Sequence, residues 1–250
     1  MIGGKKLTGN DIRHVIPRFD WTTDTVYYAY DDLTDSRELK NGTNQFYVVT
    51  DQYHVYKCLA NNYGSNSTVQ PTQVITTTHF QTEDGYVWKY MYTLDAAERA
   101  RFTTVDYIPV RTTESDDNST QYQVQDQATP GAIHSILITN SGTEYRTNNI
   151  VVTVKGDGIE CNAYAIRNVT TNTISSIVVD NKGYGYTYAT VTFSSANGSS
   201  AAGRAIISPP GGHGSDPLTE LGGAYLIINP RIINNEGGIL TVKNDYRQIA

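Results

Sequence analysis

Positive charge is in short supply in this sequence. Lys and Arg total 19 against 25 acidic residues over 250 positions, for a formal net charge of −6. A surface that neutralises nucleic-acid phosphates needs clustered Lys and Arg, and Lys5-Lys6 is too small a pair to supply it. Nucleic acid is therefore not an expected partner. No apolar run approaches the ~18–20 residues of a membrane-spanning helix, and the opening MIGGKKLTGND lacks the apolar stretch of a secretory signal. Neither a membrane span nor export by that route is expected. Cysteine is scarce as well. Cys58 and Cys161 are the two present, and a chain assembled in a cytosol is expected to keep them reduced. The five histidines, His14, His54, His79, His134 and His213, show no His-x-His or His-Glu-x-x-His spacing. No metal or other cofactor is expected.

Tyrosine is what the chain has instead, 19 residues against 5 Phe and 2 Trp. Tyr offers large contact area with a polar tip, which suits sheet surfaces and protein interfaces. The most concentrated example is DGYVWKYMYTL (Asp84 to Leu94). Asp84-Gly85 is turn chemistry, and the following residues alternate as a strand does, with Tyr86, Trp88, Tyr90 and Tyr92 on one face and Val87, Lys89, Met91 and Thr93 on the other. That pattern reads as a core or interface strand paired with YHVYKCLANN (Tyr53 to Asn62) upstream. After it, LDAAERARF fits a short helix with Asp95 as its capping residue. Residues 113–130 are polar and turn-rich, and they read as a linker. Their Glu114, Asp116 and Asp117 lack the Asp-x-Asp-x-Asp-Gly order of a calcium loop.

The middle of the chain repeats itself at an offset of 41 residues. IHSILITNSGTEYRTNNIVVTV (Ile133 to Val154) aligns with ISSIVVDNKGYGYTYATVTF (Ile174 to Phe193), matching Ile136 with Ile177, Gly142 with Gly183 and Tyr145 with Tyr186. Each copy reads as three strands, and neither can bury its faces alone, so the two are expected to pack as a small sandwich or barrel. The expected fold is mainly β and multi-domain. A mixed-β scaffold domain with one short helix spans 1–112 and 209–250, and the repeat domain is inserted at 131–208.

Little here has the form of catalytic chemistry. Gly211 to Asp216 (GGHGSD) lacks the Lys-Ser/Thr ending of a P-loop, and neighbouring His213, Ser215 and Asp216 on one loop do not make a triad. Asp31, Asp32, Asp35 and Glu38 read as a solvated acidic loop rather than a glycosidase pair. The chain is not expected to be an enzyme.

Four segments, in this order, resemble one family. They are DIRHVIPRFDW (Asp11 to Trp21), YHVYKCL (Tyr53 to Leu59), DGYVWKYMYTL, and ISPPGGHGSDPLTELGG with AYLIINPR (Ile207 to Arg231). Together they are similar to the baseplate wedge protein of T-even-type contractile-tailed phages, the gene-eight product family. The resemblance touches both ends of the chain and skips about 112–205. It implies a structural subunit of the tail baseplate, made and assembled in the host cytoplasm. The expected partners are a second copy of the chain and other wedge subunits. The alternative is a tail-associated binding module that recognises a host carbohydrate or anchors a fibre. Under either reading the candidate core or interface anchors are Trp21, Tyr86, Trp88, Tyr90, Tyr92, Tyr145, Tyr184, Tyr186 and Tyr188.

Overall fold

Three sheets organise the described residues, and the first pairs their first strand with their last. The computed structural model describes residues 7–41 and 44–230. The scaffold strands are β1 (Ile12–Pro17), β2 (Tyr47–Val49), β3 (His54–Asn61), β4 (Phe80–Gln81), β5 (Tyr86–Thr93) and β6 (Tyr107–Pro109). Helix α1 (Ala96–Phe102) lies between β5 and β6, and α2 (Thr120–Asp126) follows them. The repeat supplies β7 (Ile133–Thr143), β8 (Val151–Gly156), β9 (Ile159–Asn168), β10 (Thr173–Tyr184), β11 (Ala189–Ser194) and β12 (Ser199–Ile207). Helix α3 (Pro217–Glu220) and β13 (Tyr225–Ile228) complete the order. The fold is mainly β, and no described helix is long and apolar enough to cross a membrane.

The closing strand returns to the scaffold. β13 and β6 flank β1 antiparallel, with Ile12 opposite Ile228 and Ile16 opposite Ile108. α1 fastens this joint. Asp95 caps it by accepting from the Ala97 and Glu98 N–H groups, as its sequence predicts. Arg101 then reaches the Asp11 carboxylate at 3.3 Å and the Asn229 carbonyl at 3.0 Å. Of the closing segment AYLIINPR, Tyr225–Ile228 form the strand, and Arg231 lies outside the described residues.

The second sheet, ordered β2-β3-β5-β4, is buried on both faces. Here the single aromatic stripe expected on β5 is corrected. Tyr56 pairs with Tyr90 but Val55 pairs with Tyr92, so Met91 is an extra residue, a bulge. Past a bulge the alternation of faces restarts. Tyr86, Trp88 and Tyr90 enter one core with Tyr27, Val48, Tyr56 and Cys58. Tyr92 joins Met91 in the other, against Ile16, Phe46, Tyr47, Ile108 and Leu221.

The segment read as a polar linker is also more than that. Ser119 caps α2 by accepting from the Tyr122 N–H, and Val124 is fully buried in the Trp88 core. α3 is a third helix where one was expected. Both were missed for the same reason: α2 buries only Gln121 and Val124, and α3 is a single turn, too few apolar positions to show a helical period.

The two repeat copies form one six-stranded, nearly closed, barrel-like sheet, ordered β10-β9-β8-β11-β12-β7. β7 and β10 lie side by side at the seam. The first strand of each copy pairs with the third strand of the other, β7 with β12 and β10 with β9, around a central β8–β11 pair. Neither copy is a folding unit by itself. The exchange extends to side chains. Tyr145 packs on Gly198, where an added Cβ would sit 2.1 Å from the ring, and Tyr186 packs on Gly158, where it would sit 2.4 Å away. Ile133, Ile136, Ile174 and Ile177 fill the interior between them.

Candidate functional site: a basic histidine junction

Where the barrel meets the scaffold, the buried contacts change from apolar to polar. The change begins on β3 and β5, where Lys57 and Lys89 are direct cross-strand neighbours and both are buried. Like charges placed opposite each other destabilise a sheet unless each finds its own partner. Lys57 has one: its Nζ lies 2.7 Å from the Glu220 carboxylate and 3.9 Å from the centre of the Tyr30 ring. Burial lowers the pKa of this ammonium, and the carboxylate pulls it back. Lys89 donates to the Thr76 carbonyl at 2.8 Å and forms no ion pair among the described residues; burial, reinforced by Lys182 and partly offset by Glu220, pushes its pKa down to about 8.

Glu220 also fixes the glycine-rich loop. Its second oxygen accepts from the Gly214 N–H at 2.8 Å and the Asp216 N–H at 3.1 Å. Gly212 (φ +100°) and Gly214 (φ +94°) are required here, because a Cβ would sit 2.5 Å from the Thr129 carbonyl oxygen and 2.6 Å from a Val124 methyl group. The loop therefore threads between α2 and the barrel entrance, and it carries His213 into the interior at 4% exposure.

Three of the five histidines, read from the sequence as scattered, meet there. The ring centres of His79 and His134 are 4.8 Å apart, and those of His134 and His213 are 5.0 Å apart. They come from the segment before β4, from β7 and from the glycine loop, so scaffold and repeat both contribute. The Nδ1 atoms of all three are buried without a hydrogen-bond partner among the described residues. Burial lowers the pKa of each ring. It does so well below the usual value for His134 and His213, and the neighbouring ammonium groups and histidines add to the effect. Together with Lys89, Lys182, Thr77, Thr78 and Gln127–Thr129 the rings line a cavity of about 10 Å³. Among the described residues no group of three or more His, Cys, Asp or Glu is arranged to hold a metal ion.

The acidic loop is corrected too. Asp31 and Asp32 are not simply solvated. Both bind Arg204 of β12, Asp31 at 2.5 Å, and so tie scaffold to barrel. In the glycine loop the neighbours His213, Ser215 and Asp216 serve separate ends. His213 is in the cluster, the Ser215 hydroxyl donates to the Pro210 carbonyl, and Asp216 accepts from Thr112 and Thr219.

The nine candidate anchors do not gather at one place. Trp21, half-buried, donates to Ser67. Tyr86, Trp88, Tyr90 and Tyr92 are divided between the two scaffold cores, and Tyr145 and Tyr186 are inside the barrel. Tyr184 (46% exposed) and Tyr188 (61% exposed) alone present open faces. Between them in sequence, Gly185 to Thr187 line an open groove of about 480 Å³ with Tyr30, Asp32, Pro209 and Pro210. The histidine junction went unread because its members are separated by long stretches of chain. One signal was present: the repeat places His134 where the second copy has Ser175. An imidazole breaking an internal symmetry marks a position used by only one copy.

The chain matches no family model, no curated protein and no solved structure.

Proposed function

We propose that this chain is a non-enzymatic structural subunit of a phage tail baseplate wedge, working through protein–protein assembly. One observation carries the reading: the four segments that resemble the wedge family form one connected unit. The first and last pair as β1 and β13, and the second and third pair as β3 and β5. Glu220 of the last segment binds Lys57 of the second. A family scaffold with an insertion elsewhere would keep its motifs in mutual contact in this way. In the baseplate the chain pairs with a second copy and with other wedge subunits. Permanent assemblies of that kind bury more than about 2,000 Å².

The second reading, a tail-associated module that grips a host carbohydrate or a fibre, draws on the groove beside Tyr184 and Tyr188. Localising the labelled chain in intact particles separates the two. A position within the wedge ring supports the scaffold role. A position at the fibre attachment points supports the binding module, and absence from the particle overturns both.

A further inference from the structure

The junction holds more positive charge than its carboxylates balance. Glu220 is committed to Lys57, Gly214 and Asp216. Among the described residues Lys89 and Lys182, which line the same cavity, hydrogen-bond only to neutral oxygens, the Thr76 carbonyl at 2.8 Å and the Thr129 hydroxyl at 3.2 Å. Three imidazoles, one of them almost fully buried, complete the lining, each with an unpartnered Nδ1. A neutral imidazole carries one N–H and one acceptor nitrogen, and a buried polar atom without a partner costs about 1–3 kcal/mol. Those Nδ1 atoms are sealed from any water-sized particle, so an occupant of the cavity meets the lysines and the other polar groups of its lining.

The properties of the cavity narrow the choice of occupant. Its volume of about 10 Å³ is that of one water-sized particle, too small for sulfate, phosphate or a sugar. Two ammonium groups disfavour a cation. A neutral water satisfies donors but leaves the charge where it is. A chloride-sized ion is only slightly larger than water, accepts from every N–H and O–H that can turn toward it, and offsets the two lysines. We propose that this cavity is a binding site for a single small monovalent anion of the halide class. The ion ties together the scaffold (His79, Lys89), the glycine loop (His213) and the barrel (His134, Lys182). It thereby makes the seating of the barrel on the scaffold dependent on the anion.

The test uses the full chain, with sodium chloride exchanged against sodium gluconate at constant ionic strength. The expected result is a saturable rise in melting temperature with chloride or bromide, roughly 3–6 °C at ten times the dissociation constant. Lys182→Met, at a half-buried position, should fold and lose that dependence. Crystals of the unaltered protein soaked in bromide supply the direct reading, which does not depend on any variant folding. An anomalous peak between Lys89, Lys182 and the histidines supports the site. Bromide density absent from the cavity overturns it, as does a melting temperature that follows ionic strength alone, or chloride dependence unchanged in Lys182→Met. Stabilisation by zinc without any halide effect would also overturn it, because it would assign the cluster to a cation.

Discussion

The scaffold and the repeat barrel reach stability by opposite routes. The scaffold concentrates large aromatics in two cores on either side of one sheet, with Tyr27, Tyr56, Tyr86, Trp88 and Tyr90 packed edge-to-face or stacked on one side. It is closed by distant polar locks, Lys57 to Glu220 and Arg101 to Asp11. The barrel has a lighter core of Ile and Ala and relies on symmetry, each copy lending its first strand and its Tyr to the other. A region built from unique long-range contacts is exposed to single substitutions. One built from exchanged equivalents spreads the load over two copies. Both Trp residues lie in the scaffold, so tryptophan fluorescence reports that region alone and can be set against circular dichroism of the whole chain.

The largest effect separating the two regions is expected at Trp88. Its indole N–H has no hydrogen-bond partner among the described residues, so Trp88→Ala is a loss of packing, of about 3–5 kcal/mol in denaturant unfolding. The matching truncation in the barrel, Ile177→Ala, removes a smaller side chain and should fall lower in the range of about 2–5 kcal/mol. Equal losses would erase the contrast. Next comes Glu220→Gln, which strands the Lys57 ammonium in the interior and should cost about 3 kcal/mol. If the ion pair is dispensable, the variant will melt with the parent protein, and the lock assigned to it fails.

A pH titration sharpens the comparison at the junction itself. His134 and His213 have folded pKa values depressed by burial and by the neighbouring positive charges. Unfolded, each titrates near about 6.5. Below that point the unfolded state binds more protons than the folded one, so stability is complete above pH ~6.5 and falls as the pH drops through it. Each ring contributes up to about 1.4 kcal/mol per pH unit. His134→Gln should flatten the slope measured by urea unfolding between pH 7 and 5. An unchanged slope would place the titration elsewhere.

In the barrel, Gly198→Ala drives a methyl into the Tyr145 ring and should cost about 1–3 kcal/mol by overpacking. Circular dichroism should move and tryptophan fluorescence should not. The smallest effect is expected at Arg204, whose pairs with Asp31 and Asp32 are partly exposed. Arg204→Ala should cost no more than about 1 kcal/mol and lose importance in high salt.

What could be read in the sequence follows this same contrast. The barrel was legible because its signal is written twice: Ile133 and Ile174, or Tyr145 and Tyr186, confirm each other before any contact is known. The strands β3 and β5 and the Asp95 cap were legible because period and capping are local properties. The exchange of first strands was not, since equivalence of two copies does not say which copy a strand pairs with. The bulge at Met91 carries no mark in a row of alternating residues, and it sent Tyr92 to a different core from Tyr90. Lys57, Lys89 and the three histidines each look ordinary in their own segment. They acquire meaning only when five separate segments converge, and no local pattern encodes that.

The central claim is that the barrel is an insert on a scaffold closed by the two ends of the described chain, and excision tests it most directly. Ser208 donates its backbone N–H to the Ala132 carbonyl at 2.9 Å, so the two ends of the insert already touch. Ala132 is therefore joined to Ser208 through a short Gly-Ser linker, leaving α2 and its Val124 in place, and tryptophan fluorescence is followed through urea unfolding. The account predicts a cooperative transition, with Trp88 shielded from solvent before it. A shortened chain with exposed tryptophan and no transition would contradict it, and would make the barrel part of a single indivisible fold.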